Sequence, residues 1–150
     1  MCSFLLRTGT ALIMIVVAAT PVGAQASPAG HVKTVSGSAF IVREGAAAPA
    51  RPGDAVFASD ALRTAADGTL GITLMDDTRI SLAPDSEVRL ARYVYAPGEG
   101  GFAMVLRFVR GVAAYVSGRM SKLAPDAIRL ETPAAIVGVR GTTVAVRVEP

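Results

Sequence analysis

From residue 30 onward, apolar positions recur at every second residue in short runs broken by Gly, Pro, Asp and Ser. That period sends successive side chains to opposite faces of an extended backbone, so it predicts strands. Val32, Val35, Ala39 and Ile41 make the first run, punctuated by Gly37. Leu70, Ile72 and Leu74 alternate with Gly71 and Thr73, and Ile80 and Leu82 resume the alternation after Asp76-Asp77. Aspartates between two alternating segments predict a hairpin with its turn at that pair. Val88, Leu90, Tyr93 and Tyr95 lie on a further strand, and Asp60–Thr64 reads as a short strand or bridge.

Phe102–Val109 and Val112–Val116 read as two strands separated at Gly111, followed by Ile128–Leu130 and by Val144, Val146 and Val148. Gly45–Gly53, with three alanines in a row and two prolines, and Pro97–Gly101 are expected as loops, and Ala124–Asp126 as a turn. No helix can be placed. Phe102–Arg110 lacks breakers, but its Val105, Phe108 and Val109 favour strand. Many short strands separated by turns predict an all-β fold, built as a sandwich, barrel or solenoid-like stack.

The first 26 residues follow a different pattern. Arg7 precedes Ala11–Ala19, nine apolar residues in a row, and Pro21 and Gly23 lead to Ala24-Gln25-Ala26. A basic start, an apolar centre and an A-x-A site predict a secretory signal peptide over residues 1–26, cleaved after Ala26. A bilayer crossing needs about 20 apolar residues, and extending this run upstream meets Thr10, Gly9, Thr8 and Arg7. No stable membrane insertion is expected once the leader is gone. Residues 27–150 are then a single domain, periplasmic or secreted.

Removing the leader changes the composition. The chain is 51% hydrophobic, but 17 of those residues fall in the first 26, with the only cysteine, Cys2. The remaining 124 residues carry 14 basic and 12 acidic side chains, a net of +2. A chain of that size buries roughly two-thirds of its unfolded surface, enough for an ordinary core. Without cysteine it has no thiol nucleophile, no Fe–S ligand and no thiolate zinc site.

Candidate chemistry is sparse. The one histidine, His31, stands beside Gly30 with no nucleophile–carboxylate spacing around it, and reads as a solvated or edge-strand residue. Asp76-Asp77 could offer oxygens to calcium, but calcium takes six to eight and no D-x-D-x-D-G repeat surrounds the pair. A turn role is favoured for that pair, and for Asp54, Asp60, Asp67, Asp85, Glu87 and Asp126. A carbohydrate-active hydrolase would need Asp76, Asp77, Asp85 or Glu87 to converge in one pocket. Twelve of the 14 basic residues after the leader are arginines, dispersed with no aromatic–basic motif, so they read as solubilising outer strand faces rather than as a nucleic-acid site. No metal, cofactor or catalytic constellation is expected.

One stretch stands out: Thr132-Pro-Ala-Ala-Ile-Val-Gly-Val-Arg-Gly-Thr142. Gly138 and Gly141 permit close backbone approaches, and Arg140 is a fixed cation in an apolar run that needs carboxylate, carbonyl or solvent partners. A P-loop is excluded because no Gly-Lys-Ser/Thr ending follows. Together with the Val-rich strand after it, this stretch resembles the ending of the FecR domain family. Gly30–Gly37 with Val42-Arg43, Gly53-Asp54 with Asp60–Thr64, Leu74–Ile80 with Leu82–Pro84 and Ser86-Glu87, and Gly111-Val112 with Val116 resemble its earlier parts in order.

The resemblance spans roughly residues 30–148 and implies a FecR-like β domain with an interaction role in the envelope. The founding members relay an outer-membrane signal to a sigma factor. This sequence has no cytoplasmic anti-sigma segment and no full transmembrane helix, so that relay is not carried over. The expectation is a non-enzymatic exported protein- or ligand-interaction module that binds an envelope protein or other envelope component, with envelope signalling as a candidate role. Thr132, Pro133, Gly138, Val139, Arg140, Gly141 and Thr142 are its motif. A self-associating envelope or cell-surface scaffold, completed through Val144–Val148, is the alternative.

Overall fold

The computed structural model describes residues 26–139 and 143–149. The expected leader, apart from Ala26, therefore lies outside the described residues, as do Arg140, Gly141 and Thr142. Among the described residues the alternating segments form twelve strands. The first seven are β1 (Gly30–Ser36), β2 (Ala39–Arg43), β3 (Ala46–Pro49), β4 (Ala55–Val56), β5 (Ala61–Thr64), β6 (Thr69–Leu74) and β7 (Arg79–Leu82). The others are β8 (Glu87–Ala96), β9 (Gly101–Val116), β10 (Ile128–Glu131), β11 (Ile136–Gly138) and β12 (Thr143–Val148).

They pack as one sheet folded on itself into two layers. The first layer runs β4-β1-β6-β7-β9-β12, and the second runs β3-β2-β5-β8-β9-β10-β11. β9 belongs to both: up to Arg110 it pairs with β8, from Gly111 onward with β12 and from Ala113 onward with β7. The chain also crosses between layers from β1 to β2, β5 to β6 and β7 to β8. These crossings lie side by side and are bonded to one another, Ala65 N–H to Ser38 C=O (3.0 Å), Asp85 N–H to Ala65 C=O (3.1 Å) and Ala83 N–H to Val112 C=O (2.9 Å). The result is a continuous crease that leaves few backbone groups unpaired.

Left-handed backbone at Gly37 (φ 63°) and Gly111 (φ 79°) turns the chain at this crease. A Cβ at Gly111 would collide with Ser86 Oγ and Asp85 C=O, so glycine is required there for space as well as for conformation. This architecture is the expected all-β fold, and of the arrangements left open it is the two-layered one. Its strand pairs are antiparallel except for β10, which runs parallel to β9.

The inner faces supply the core. Leu62, Val88 and Phe108 make one row of the second layer, and Leu90, Leu106 and Leu130 the next. Leu70, Leu82 and Ala113, then Ile72, Ile80 and Tyr115, make the rows of the first layer. Full burial stabilises by roughly 1.5–3 kcal/mol per large aliphatic side chain, so these rows supply much of the fold's stability.

Four sequence expectations are corrected. Gly45–Gly53 is not all loop, because Ala46–Pro49 pairs with β2 around a Glu44-Gly45 turn; its exposed alanines carry no hydrophobic alternation to announce a strand. The two strands divided at Gly111 are one strand, since the glycine bends the backbone without breaking its pairing. Helix is present, though short: α1 (Met120–Leu123) and a 3-10 turn at Pro125–Ala127, anchored by buried Met120. The arginines are not evenly dispersed, as shown below. No helix among the described residues is long and apolar enough to cross a membrane.

Candidate interaction surface

The terminal motif begins as a tight turn. Thr132 N–H donates to Ala135 C=O (2.8 Å), and Thr132 Oγ1 accepts from the N–H groups of Ala135 (3.1 Å) and Ala134 (3.4 Å). Pro133, with its preset φ, suits the second position of that turn. The turn joins β10 to β11, whose register is Glu131–Ile136, Leu130–Val137 and Arg129–Gly138.

Because Thr132 and Ala135 share a ladder bond, the antiparallel alternation bonds Leu130 to Val137 and turns the N–H and C=O groups of Ile136 and Gly138 outward. Among the described residues β11 pairs only with β10, so this outward side is an edge that no described strand covers. Ile136 is 69% exposed and Val137 43%. A Cβ on Gly138 would meet nothing within 4 Å, so this chain's own packing does not demand glycine there. Val139 then turns inward and is buried. The motif residues Thr132, Pro133, Gly138 and Val139 are thus gathered on one hairpin at the edge of the second layer. The first layer ends on β12, which among the described residues pairs only with β9.

Ile136 and Val137 were not singled out by the sequence, although the unalternating apolar run Ala134–Val139 was the available signal. Natural sheets protect free edges with charge, proline or a bulge; among the described residues of this hairpin edge, only Pro133, in the turn, is of that kind. A shallow groove of about 280 Å³ beside the turn is lined by Arg107, Phe108, Val109, Glu131, Thr132 and Pro133.

The acidic residues divide into structural nodes and surface groups. Asp76 is fully buried. Its carboxylate accepts from Thr78 Oγ1 (2.7 Å), Tyr93 OH (3.0 Å) and Met120 N–H (3.3 Å), tying the β6–β7 hairpin to β8 and α1. Burial, then the charge and hydrogen bond of Asp76, push the Tyr93 phenol well above the usual tyrosine range. Asp77 completes the predicted turn at φ 67° and meets Arg119 at 2.9 Å.

Asp60 closes the turn expected of it, its carboxylate accepting from Phe57 N–H (2.9 Å), and it is also buried under Arg43, which reaches both of its carboxylate oxygens (2.9 and 2.7 Å) and stacks 4.6 Å from the centre of the Phe57 ring. The bidentate bond to Asp60 raises the Arg43 pKa further. Grooves of about 460 and 680 Å³ flank this stack.

Asp76 and Asp77 stand at the hairpin tip, whereas Asp85 and Glu87 stand at the crease beyond the other end of β7, so the hydrolase alternative's four carboxylates are not brought together. His31 is exposed on β1, opposite Ala55 and Thr73. Among the described residues, no group of three or more His, Cys, Asp and Glu side chains could hold a metal ion.

The FecR protein family model matches residues 60–150, and the chain belongs to the FecR family. This is an envelope-associated regulatory family, so a role connected with envelope signalling follows. The match begins at Asp60, so β1–β4, with the earlier resemblances at Gly30–Arg43 and Gly53-Asp54, lie ahead of it. No curated protein and no solved structure matches the chain.

Proposed function

We propose that residues 27–150, freed of a leader spanning residues 1–26, form one non-enzymatic periplasmic or secreted FecR domain that captures an extended segment of another envelope protein along β11. The observation that carries this reading is the free edge at Ile136 and Gly138, flanked by exposed apolar side chains. An added strand gains main-chain hydrogen bonds from such an edge and specificity from alternate side chains. Arg140, Gly141 and Thr142, the rest of the motif, follow directly in sequence.

A photoreactive residue at Val137 in intact cells is expected to trap one recurring envelope protein, and Ile136→Pro, which deletes an outward N–H, is expected to abolish the adduct. An adduct that survives this substitution, or no adduct, contradicts the reading. A second copy of the chain is the alternative occupant, favoured by the other free edge, β12. A concentration-dependent dimer dispersed by Ile136→Pro would select it.

A further inference from the structure

The register of the second layer sorts its arginines. Arg63 lies beside Glu87, and Glu87 beside Arg110. In the next row Arg89 faces Arg107, and Arg107 faces Glu131; in the row after, Arg92, Val105 and Arg129 are neighbours. The intervening positions are the buried core rows, so these side chains share the outer face. Six arginines accompany two glutamates there, a formal +4, whereas residues 27–150 together carry +2. The rest of that region is therefore net negative, and charge is segregated onto one sheet face.

The fold does not consume this charge. Glu131 is engaged by Arg107 at 2.7 Å, and Glu87 by Arg63 (3.4 Å) and Arg110 (3.9 Å). Arg89 and Arg92 form no ion pair among the described residues. Arg89 and Arg107 stand directly opposite each other, an arrangement that costs stability in an isolated sheet. Exposed Val94 and Val109 lie among these arginines, and half-buried Phe40 faces Arg63. A sheet face that mixes arginine heads with apolar side chains suits an interface that is both anionic and partly apolar. There the guanidinium groups meet phosphates, while the apolar groups and arginine stems reach toward the acyl chains.

We propose that this outer face docks the domain on anionic phospholipid headgroups of a membrane surface. An acidic protein partner would be met by the charge, but Val94 and Val109 favour the lipid surface. The proposal uses residues other than the β11 edge and stands independently of it.

The test is co-sedimentation of the chain lacking residues 1–26 with phosphatidylglycerol–phosphatidylcholine vesicles, phosphatidylcholine vesicles alone, and soluble polyglutamate as competitor. Binding is expected only to the anionic vesicles and is expected to weaken as salt shortens the screening length. The Arg89→Gln, Arg92→Gln pair is expected to lose roughly 20-fold in affinity with an unchanged melting curve, while Arg79→Gln, on the first layer, keeps it. Equal binding to neutral vesicles, no binding, or full binding by the double variant overturns the proposal. Polyglutamate bound as tightly as the vesicles assigns the face to an acidic protein instead. Ile136→Pro is expected to leave vesicle binding intact, which separates failure here from failure at the edge.

Discussion

Ser86 and Val112 exchange two hydrogen bonds across the crease: Val112 N–H donates to Ser86 Oγ at 2.9 Å, and the hydroxyl donates to Val112 C=O at 3.0 Å. This pair fixes the point where β9 leaves one layer for the other, next to Gly111. Gly111→Ala is expected to cost roughly 2–4 kcal/mol, from left-handed strain and from collision with the crease. Ser86→Ala is expected to cost about 1–3 kcal/mol by leaving Val112 N–H unpaired. In the double variant the costs should sum to less than the two singles, because the missing hydroxyl removes part of the collision. Urea unfolding of the three variants measures this.

Asp76→Asn keeps the volume but replaces one accepting oxygen with a donor that faces other donors. A loss of about 2–4 kcal/mol is expected, with greater amide exchange at Gly118 and Met120, whose N–H groups point at Thr78 and Asp76. Unchanged exchange at those two amides would contradict the tie between hairpin and α1.

Tyr93 gives the protein an alkaline limit. Its pKa is raised in the folded state by burial first and by Asp76 second. The unfolded chain therefore releases the phenolic proton near pH 10 while the folded chain holds it, and stability complete below about pH 10 is lost as pH rises above it. Tyr93→Phe is expected to flatten that decline in part, because Tyr115, also raised by burial, continues to contribute. Denaturant midpoints on either side of pH 10 show the effect.

Asp77 holds a left-handed conformation at an exposed turn. Asp77→Gly is expected to stabilise by about 0.5–1 kcal/mol, since the Arg119 ion pair it gives up is solvent-exposed and worth little. A lower midpoint than the parent would show that the pair outweighs the strain.

The β6–β7 hairpin was legible because Leu70, Ile72, Leu74, Ile80 and Leu82 alternate on both sides of a turn pair. β3 was hidden because an alanine run at a solvated edge has no apolar face to display. The pairing of Arg43 with Asp60, 17 residues apart, and the alignment of Arg89 with Arg107 depend on register, which a single strand's pattern does not set. The terminal motif was visible as residues, but its exposed edge was not, since an apolar run such as Ala134–Val139 reads as buried until its neighbours are known.

The proposed capture site is β11, acting as a strand-accepting edge. The direct measurement is amide hydrogen exchange at Ile136 and Gly138, in the free domain and in complex with the envelope protein trapped through Val137. Slowing by at least about tenfold at both amides, with Val137 already protected in the free domain, is the predicted result. Exchange at Ile136 and Gly138 that stays fast in a saturated complex would contradict it.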